Sequence, residues 1–294
     1  VTGNMKPTDP KFPIFIPSKG RYKSRLTSKW WDKLGIYYRL IVEPDEYDLY
    51  LQEVKDEKKL VVLDMDYKKN YEYCDDFKLE KTSGSGPARN FIWDLAEKEG
   101  HEWHWIMDDN ITSFRRMHNN RKIRVANGLP LRIMEDFATR YKNVGMVGPH
   151  YDYFFPSRVV KPPFTLNTRI YSCNLIRTNT PFRWRGRYNE DTILSLDMLK
   201  AGWCTIFNAI LQDKVTTQTM KGGNEELYEK GTLEKSKMME TTHGDVCKLS
   251  FKYKRWHHHC NYKPFMEKNK LVRIDNLKLS DKPNDYGMKL KIKK

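Results

Sequence analysis

The sequence predicts an α/β protein: a single domain on a central, mostly parallel sheet flanked by helices, with an irregular C-terminal extension. Three observations carry that prediction. Short apolar runs alternate with stretches of helical spacing through the first part of the chain, the pattern of successive βα units. The helical stretches stop at Gly35, Gly100 and Gly202, and helices commonly end on glycine. Two adjacent carboxylates, Asp108 and Asp109, follow directly on an apolar strand. That places polar chemistry at a carboxyl edge, where open α/β sheets bind ligands.

Phe12 to Pro17 is an apolar strand that ends in the loop Ser18-Lys19-Gly20-Arg21. Leu26 to Leu34 is helical and closes at Gly35. Tyr38 to Val42 is a second strand, stopped by Glu43-Pro44, and helical sequence follows through Glu53. Leu60 to Leu63 is a third, buried strand. Thr82 to Asn90 is a flexible loop feeding a helix. Pro87 suits its first turn, and Phe91, Ile92, Leu95 and Ala96 form its apolar stripe. His104 to Met107 is the strand that runs into Asp108-Asp109-Asn110. The second half is less regular. Leu131 to Tyr141 reads as an amphipathic helix, and Val144 to Gly148 and Ile170 to Ile176 as strands. Glu190 to Ala201 is a helix with Ile193, Leu196 and Leu199 on one face, and Thr205 to Asn208 is a further strand. After Gln218 the run through Gly222, Gly223 and Asn224 reads as a mobile loop, and the chain ends in a basic tail with Lys289, Lys291, Lys293 and Lys294.

A hydrophobic content of 39% with 31% charged residues is that of a soluble globular chain. No apolar run approaches the length of a membrane span and no signal peptide is evident, so the expectation is a cytoplasmic protein without a membrane partner. Five cysteines, odd in number, widely spread and without a C-x-x-C pair, read as free thiols in a reducing compartment. The net charge of +15 costs stability through self-repulsion, so it points to a polyanionic partner. Arg115, Arg116, Arg121, Lys122 and Arg124 follow the acidic strand end, and Arg183, Arg185 and Arg187 alternate with Trp184 and Gly186. Arginine beside aromatic rings suits phosphate contact with base stacking. A solvated basic surface accounts for the same cations, and a core position accounts for Trp184.

Adjacent acids at a strand end repel each other and lose hydration. Asp108, Asp109 and Asn110 therefore read as a corner for Mg²⁺ or Mn²⁺ bridging to substrate phosphates; the same residues also make an ordinary turn. Gly84-Ser85-Gly86 is not a dinucleotide fingerprint, since Arg89 stands where the third glycine belongs, and no Gly-Lys-Ser/Thr makes it a P-loop. A Gly-rich loop at a helix start with Arg89 in the first turn can hold a diphosphate, or simply begin a helix. Glu190 and Asp191 sit at a helix N-terminus, favoured there by the dipole. Asn189 or Asp191 serves as a cap, or Asp191 as a general base. In Arg255-Trp256-His257-His258-His259-Cys260 a strand puts His257 and His259 on one face. One of the three histidines can complete a metal shell. A zinc site with Cys247 and Cys260 matches no standard spacing, and a basic-aromatic surface patch is the other reading.

Taken in order, Ile16-Pro17-Ser18-Lys19-Gly20-Arg21, Val42-Glu43-Pro44, Gly86-Pro87-Ala88-Arg89-Asn90, Trp105-Ile106-Met107-Asp108-Asp109-Asn110-Ile111, Asn189-Glu190-Asp191 with Lys200-Ala201-Gly202-Trp203, and Arg255-Trp256-His257-His258 resemble a GT-A glycosyltransferase. More narrowly, they resemble the TET/JBP-associated glycosyltransferases of phages that hypermodify their DNA. The resemblance covers roughly residues 12 to 265; its motifs are short, and their order gives it specificity. It implies a metal-dependent enzyme that moves a sugar from a UDP-sugar onto 5-hydroxymethylcytosine, or a related hydroxymethylpyrimidine, in double-stranded DNA. Residues 12–111 would form the nucleotide-sugar half, 112–265 the acceptor half and 266–294 the basic tail. The resemblance implies that Pro17, Ser18 and Arg21 line the uridine pocket with Lys19 and Glu43, and that Arg89 and Asp108 contact the donor. Asp108, Asp109 and Asn110 would stand as the DxD-type motif that holds Mn²⁺ or Mg²⁺, with Asn110 departing from the usual third acid. His257, His258 or His259 would complete the metal site, with His243 as an outsider. Asp191, beside Glu190, matches the acceptor-side acid. Arg115, Arg116, Arg121, Arg183, Trp184, Arg185 and Arg187 are the expected DNA contacts. A monomer in the cytoplasm of an infected bacterium is expected. A glycosyltransferase acting on protein or polysaccharide, and an inactive DNA-binding module on the same fold, are the rival readings.

Overall fold

The computed structural model describes residues 6–157, 162–215, 221–222 and 233–277. In chain order its elements are β1 (Ile14–Pro17), α1 (Leu26–Leu34), β2 (Arg39–Val42), α2 (Tyr47–Val54), β3 (Leu60–Val62), α3 (Asp66–Lys69), α4 (Gly86–Lys98), β4 (Trp103–Met107), β5 (Ile111–His118) and β6 (Arg121–Val125). There follow α5 (Leu129–Ala138), β7 (Val144–Tyr151), β8 (Phe164–Leu166), β9 (Cys173–Arg177), α6 (Glu190–Lys200), β10 (Cys204–Lys214), α7 (Leu233–His243), β11 (Cys247–Lys252), β12 (Arg255–Cys260) and α8 (Lys263–Lys268).

One large sheet runs in the order β3-β2-β1-β4-β9-β7-β10-β5-β6, with β8 pairing β10. The βα alternation of the first half gives parallel pairings throughout β3-β2-β1-β4, while β9, β5, β6 and β8 pair antiparallel. Side-chain alternation sorts each strand between two cores. Ile14, Ile16, Leu40, Trp105 and Met107 face the layer of α1 and α5, with Trp31, Leu131 and Met134. Phe15, Ile41 and Ile106 face α4 and α6, with Ile92, Trp93, Leu194 and Met198. Strands covered on both faces are apolar at nearly every position, and that is why they read as almost continuous runs, interrupted in β4 by the buried His104. Truncating one such residue, Ile106→Ala for instance, would cost about 2–5 kcal/mol. The predicted helix stops hold: Gly202 follows α6 at φ 85°, where a side chain would be strained, and Trp203 N–H reaches back to Met198 O at 3.0 Å.

Several elements exceed the sequence prediction. β5 and β6 form a hairpin at the sheet edge, and β10 extends through Lys214. The α7 helix, the separate β11–β12 hairpin and α8 pack on α6 through Met238, Met239, Cys247 and Phe265. The reading of all cysteines as free thiols is corrected for one pair. The hairpin register sets Cys247 opposite Cys260, and the two form a disulfide; Cys74, Cys173 and Cys204 are free. Both sulfurs are thereby taken from the considered zinc site. In the expected mobile loop, Gly222 O accepts from Arg21 Nη2 at 3.0 Å, whereas Gly223, Asn224 and the lysines of the basic tail lie outside the described residues. Among the described residues no helix is long and apolar enough to cross a membrane.

Candidate active site

Parallel pairing of β1 with β4, Phe15 opposite Ile106, brings Pro17 and Ser18 beside the Asp108–Asn110 corner. Thr27 at the start of α1 fixes that corner's backbone. Its hydroxyl donates to Asp108 O at 2.6 Å and accepts from Ile111 N–H at 2.8 Å. Asp109 points back toward β1, accepting from Ser18 Oγ at 2.7 Å and from the Arg21 guanidinium. Burial pushes the Asp109 pKa up, against the pull of Arg21 and Ser18.

Asp108 faces the opposite way, into a cleft of about 400 Å³, a size suited to a small-molecule ligand. Its Oδ1 accepts from Arg89 Nη2 at 2.7 Å and its Oδ2 from Lys214 Nζ at 2.5 Å. Burial works against its charge, yet Lys214 and Arg89 together hold its pKa down at about 2. The second fork of Arg89, Nη1, donates to Asp191 Oδ1 at 2.7 Å. Asp191 also accepts from Asn174 Nδ2 at 3.1 Å and Ser172 N–H at 3.0 Å. Burial raises Asp191 to about 6; Arg89 opposes the rise, and Glu190 and Asp108 add to it. Lys214 continues the network to Ser172 Oγ at 2.7 Å, and that hydroxyl lies 2.5 Å from Tyr151 OH.

Helix α4 delivers Arg89. Its first residue, Gly86, packs under Tyr71, whose hydroxyl donates to Gly186 O at 2.9 Å; a Cβ at Gly86 would lie 1.9 Å from that hydroxyl. Gly84, Ser85, Pro87 and Ala88 line the cleft. At the start of α6 neither Asn189 nor Asp191 caps the helix: no side-chain cap bond forms, and Asn189 Nδ2 instead donates to Lys235 O at 2.7 Å. Glu190 accepts from Ser85 Oγ at 2.7 Å.

The cleft lining gathers Pro17, Ser18, Lys19, Arg21, Glu43, Arg89, Asp108, Asp109, Asn110, Glu190, Asp191 and His258, all singled out from sequence. It adds Tyr151, Arg169, Ser172, Lys214 and Lys235, which were not. Lys214 and Asp108 both end strands, but they are 106 residues apart and no local pattern joins them. Among the described residues, seven Lys or Arg (19, 21, 68, 89, 169, 214, 235) face five Asp or Glu (43, 108, 109, 190, 191) around the cleft, a formal excess of two positive charges. A diphosphate ester, at about one negative charge per phosphate, matches that excess.

The expected metal corner does not fit a resident divalent ion. Hard cations are held chiefly by carboxylate oxygens, with carbonyls and water completing the shell, and every oxygen of Asp108, Asp109 and Asp191 already accepts from Arg89, Lys214, Arg21, Ser18, Asn174 or Ser172. Asn110 Nδ2 donates to Val215 O, and its Oδ1 is the corner's buried oxygen without a hydrogen-bond partner among the described residues. Of the three histidines, His258 lines the cleft, while His257 and His259 share the hairpin's other face. Among the described residues no group of three or more His, Cys, Asp or Glu is arranged to hold a metal ion.

The expected DNA contacts divide. Trp184 is 1% exposed and lies against the Arg89 guanidinium at 4.6 Å, so it supports the site from beneath and no base can stack on it. Arg187 is buried on Asp75, Arg185 is forked onto Asp197, and Arg183 bridges Asp94 and Glu97. These arginines fasten elements together, Arg187 inside the fold and Arg183 at the surface. Arg115 pairs with Asp152 and Asp213, and Arg116 and Arg121 stand on the β5–β6 hairpin, where Arg121 is exposed.

An α/β sheet that gathers cations and acids in a cleft at the carboxyl edge of its central strands has its cleft where proteins of this class bind ligands. A family model described as TET-Associated Glycosyltransferase matches residues 12–223, and the chain belongs to that family. The matched segment contains Asp108, Arg89, Asp191 and Lys214, and ends before α7 and the β11–β12 hairpin. Comparison with curated proteins and with solved structures gave no match.

Proposed function

We propose that this protein transfers a sugar from a UDP-sugar to the hydroxyl of 5-hydroxymethylcytosine, or a related hydroxymethylpyrimidine, in double-stranded DNA. The observation that carries the reading is Arg89, which joins Asp108 and Asp191 in one cleft. The donor diphosphate takes up the cleft's excess positive charge, and Lys19, Lys214 and Arg89 stabilise the negative charge that grows on it as the bond to the anomeric carbon breaks. Ser18, Arg21 and Glu43 sit on the β1 and β2 side, where the nucleoside would lie. A neutral alcohol is a poor nucleophile. In an inverting transfer its oxygen attacks the anomeric carbon, UDP leaves with the bonding pair, and the hydroxyl proton passes to Asp191. A carboxylate near pKa 6 is ionised at neutral pH yet basic enough for that role. The resemblance implies Mn²⁺ or Mg²⁺, but no step is assigned to an ion, because the acids already hold protein cations.

The DNA acceptor follows from the net charge of +15, which a glycosyltransferase for protein or polysaccharide does not need. A target hydroxyl on a base requires the nucleotide to leave the stack, and Arg116 and Arg121 are proposed phosphate contacts. Such a reaction belongs in the cytoplasm of a phage-infected bacterium, and a monomer suffices for it. The test is to incubate the protein with a panel of UDP-sugars and 5-hydroxymethylcytosine DNA, with and without Mn²⁺, and weigh the released nucleosides. A hexose-sized mass gain is expected. A folded protein that adds no mass from any donor refutes the proposal.

A further inference from the structure

We propose that the β11–β12 hairpin is a wedge that seats the acceptor DNA, stacking aromatic rings on bases beside the target and setting cations against the flanking phosphates. The proposal rests on the DNA reading above and names the surface that reading lacks, since Trp184 is buried and Arg183, Arg185 and Arg187 are paired with acids. The hairpin lies beyond residue 223, where the family match ends.

The strand register makes the hairpin two-faced. Cys247 opposite Cys260, Leu249 opposite His258 and Phe251 opposite Trp256 form one face; Lys248 opposite His259, Ser250 opposite His257 and Lys252 opposite Arg255 form the other. The first face begins at the disulfide of buried Cys247 and half-buried Cys260 and reaches the cleft wall at His258. It then continues outward to Phe251 and Trp256, which are 59% and 37% exposed with ring centroids 5.2 Å apart. Residues two apart on a strand are separated by about 7 Å, so the Trp256 ring stands one such step beyond the cleft wall. Large exposed apolar side chains gathered in one place mark an interaction surface.

The second face carries the complementary charge. Residues 247–260 include Lys248, Lys252, Lys254 and Arg255 and no acid. None of these four cations forms an ion pair among the described residues, in contrast to Arg183, Arg185 and Arg187. The tip adds Tyr253, 89% exposed, and holds Tyr253 and Lys254 at φ 53° and 60°. Asn-Gly would occupy that turn at lower conformational cost, yet an aromatic and a cation stand there. Rings on one side, unpaired cations on the other and a catalytic cleft at the base fit a nucleic acid from which one base is extruded.

The test measures binding of a fluorescein-labelled duplex carrying one 5-hydroxymethylcytosine, by anisotropy across a salt series. It compares the wild type with Phe251→Ala/Trp256→Ala and Lys252→Glu/Arg255→Glu. Loss of the rings is expected to weaken binding about 10-fold or more with little change in salt slope. Charge reversal is expected to lower the slope of log affinity against log salt by about 2. UDP binding by calorimetry and the melting temperature stay at the wild-type values in both. Wild-type affinity for the duplex in both variants overturns the wedge, and a parallel loss of UDP affinity reassigns the hairpin as a wall of the donor cleft. If the wild type binds the duplex through the hairpin but transfers no sugar, the glycosyltransferase reading fails and the wedge stands.

Discussion

Replacing Arg89 with Met removes the single cation that Asp108 and Asp191 share. Its guanidinium is 1% exposed, forks onto the two carboxylates at 2.7 Å each, and lies 3.8 Å from Glu190. Burial disfavours its charge, but Asp191, Asp108 and Glu190 together keep it firmly protonated. Methionine retains most of the packing on Trp184 and loses all of the charge. Breaking a buried pair strands the partner's charge at a cost of about 3–5 kcal/mol. Lys214 remains on Asp108, so the stranded acids are mainly Asp191 and Glu190, and the loss falls within that range. At about 2–4 °C per kcal/mol for a large domain, Arg89→Met should melt roughly 10 °C below the wild type at neutral pH.

The pH dependence carries a definite sign. Asp108 is held at about 2 in the folded protein, below its ordinary value, so its pairing contributes stability above the usual carboxylate range and loses it as pH falls toward 2. The gap between wild type and Arg89→Met should therefore narrow in acid, where the stranded carboxyls take up protons. Adding Asp191→Asn to Arg89→Met removes a stranded charge and should recover part of the lost stability while transfer stays abolished. Scanning calorimetry of the two single variants, the double variant and the wild type gives the cycle. A melting temperature for Arg89→Met within about 2 °C of wild type, or a double variant no more stable than Arg89→Met, refutes the assignment of Arg89 as the shared counter-charge.

Asp191→Asn should lower kcat by about 10²–10⁴ without changing UDP binding, and the wild-type rate should climb through pH 6, where Asp191 ionises; a flat pH–rate profile across that value counts against its role as base. Because Lys214 and Arg89 hold Asp108, transfer should survive EDTA within about tenfold, and Lys214→Met should cost about 100-fold in kcat; loss in EDTA with recovery in Mn²⁺ would show that the lysine yields its place to an ion. On the far face, Glu135 accepts from Lys11 N–H, Phe12 N–H and the Trp105 indole, yet burial raises it to about 7. Its contribution to stability is full below the ordinary glutamate value of 4.5 and lost as pH rises from there through 7, so the urea midpoint should fall between those values in the wild type and stay level in Glu135→Gln.

What the sequence reveals and what it hides follow from where physical constraints are local. β1, β2 and β4 are apolar except at Arg39 and His104 because both faces are covered, and that signal lies within a few residues. Ser18, Arg89, Asp108 and Asp191 stand at strand C-termini or helix N-termini, so their placement follows once the elements are found. Lys214 and Ser172 act only through a carboxylate far away in the chain, and nothing near them marks it. Arg183-Trp184-Arg185-Gly186-Arg187 shows the harder problem. Alternating arginines look the same whether they meet phosphates or fasten a core, and the decision rests with acids 89, 12 and 112 residues away at Asp94, Asp197 and Asp75. Charge accounting then turns that failure to use. Each arginine cancelled inside the fold consumes an acid and contributes nothing to the net charge of +15. The excess must lie on cations with no carboxylate opposite them. Within the described residues, 247–260 is such a segment, with four cations and no acid, so a polyanion drawn by the net charge is drawn toward the hairpin that borders the cleft.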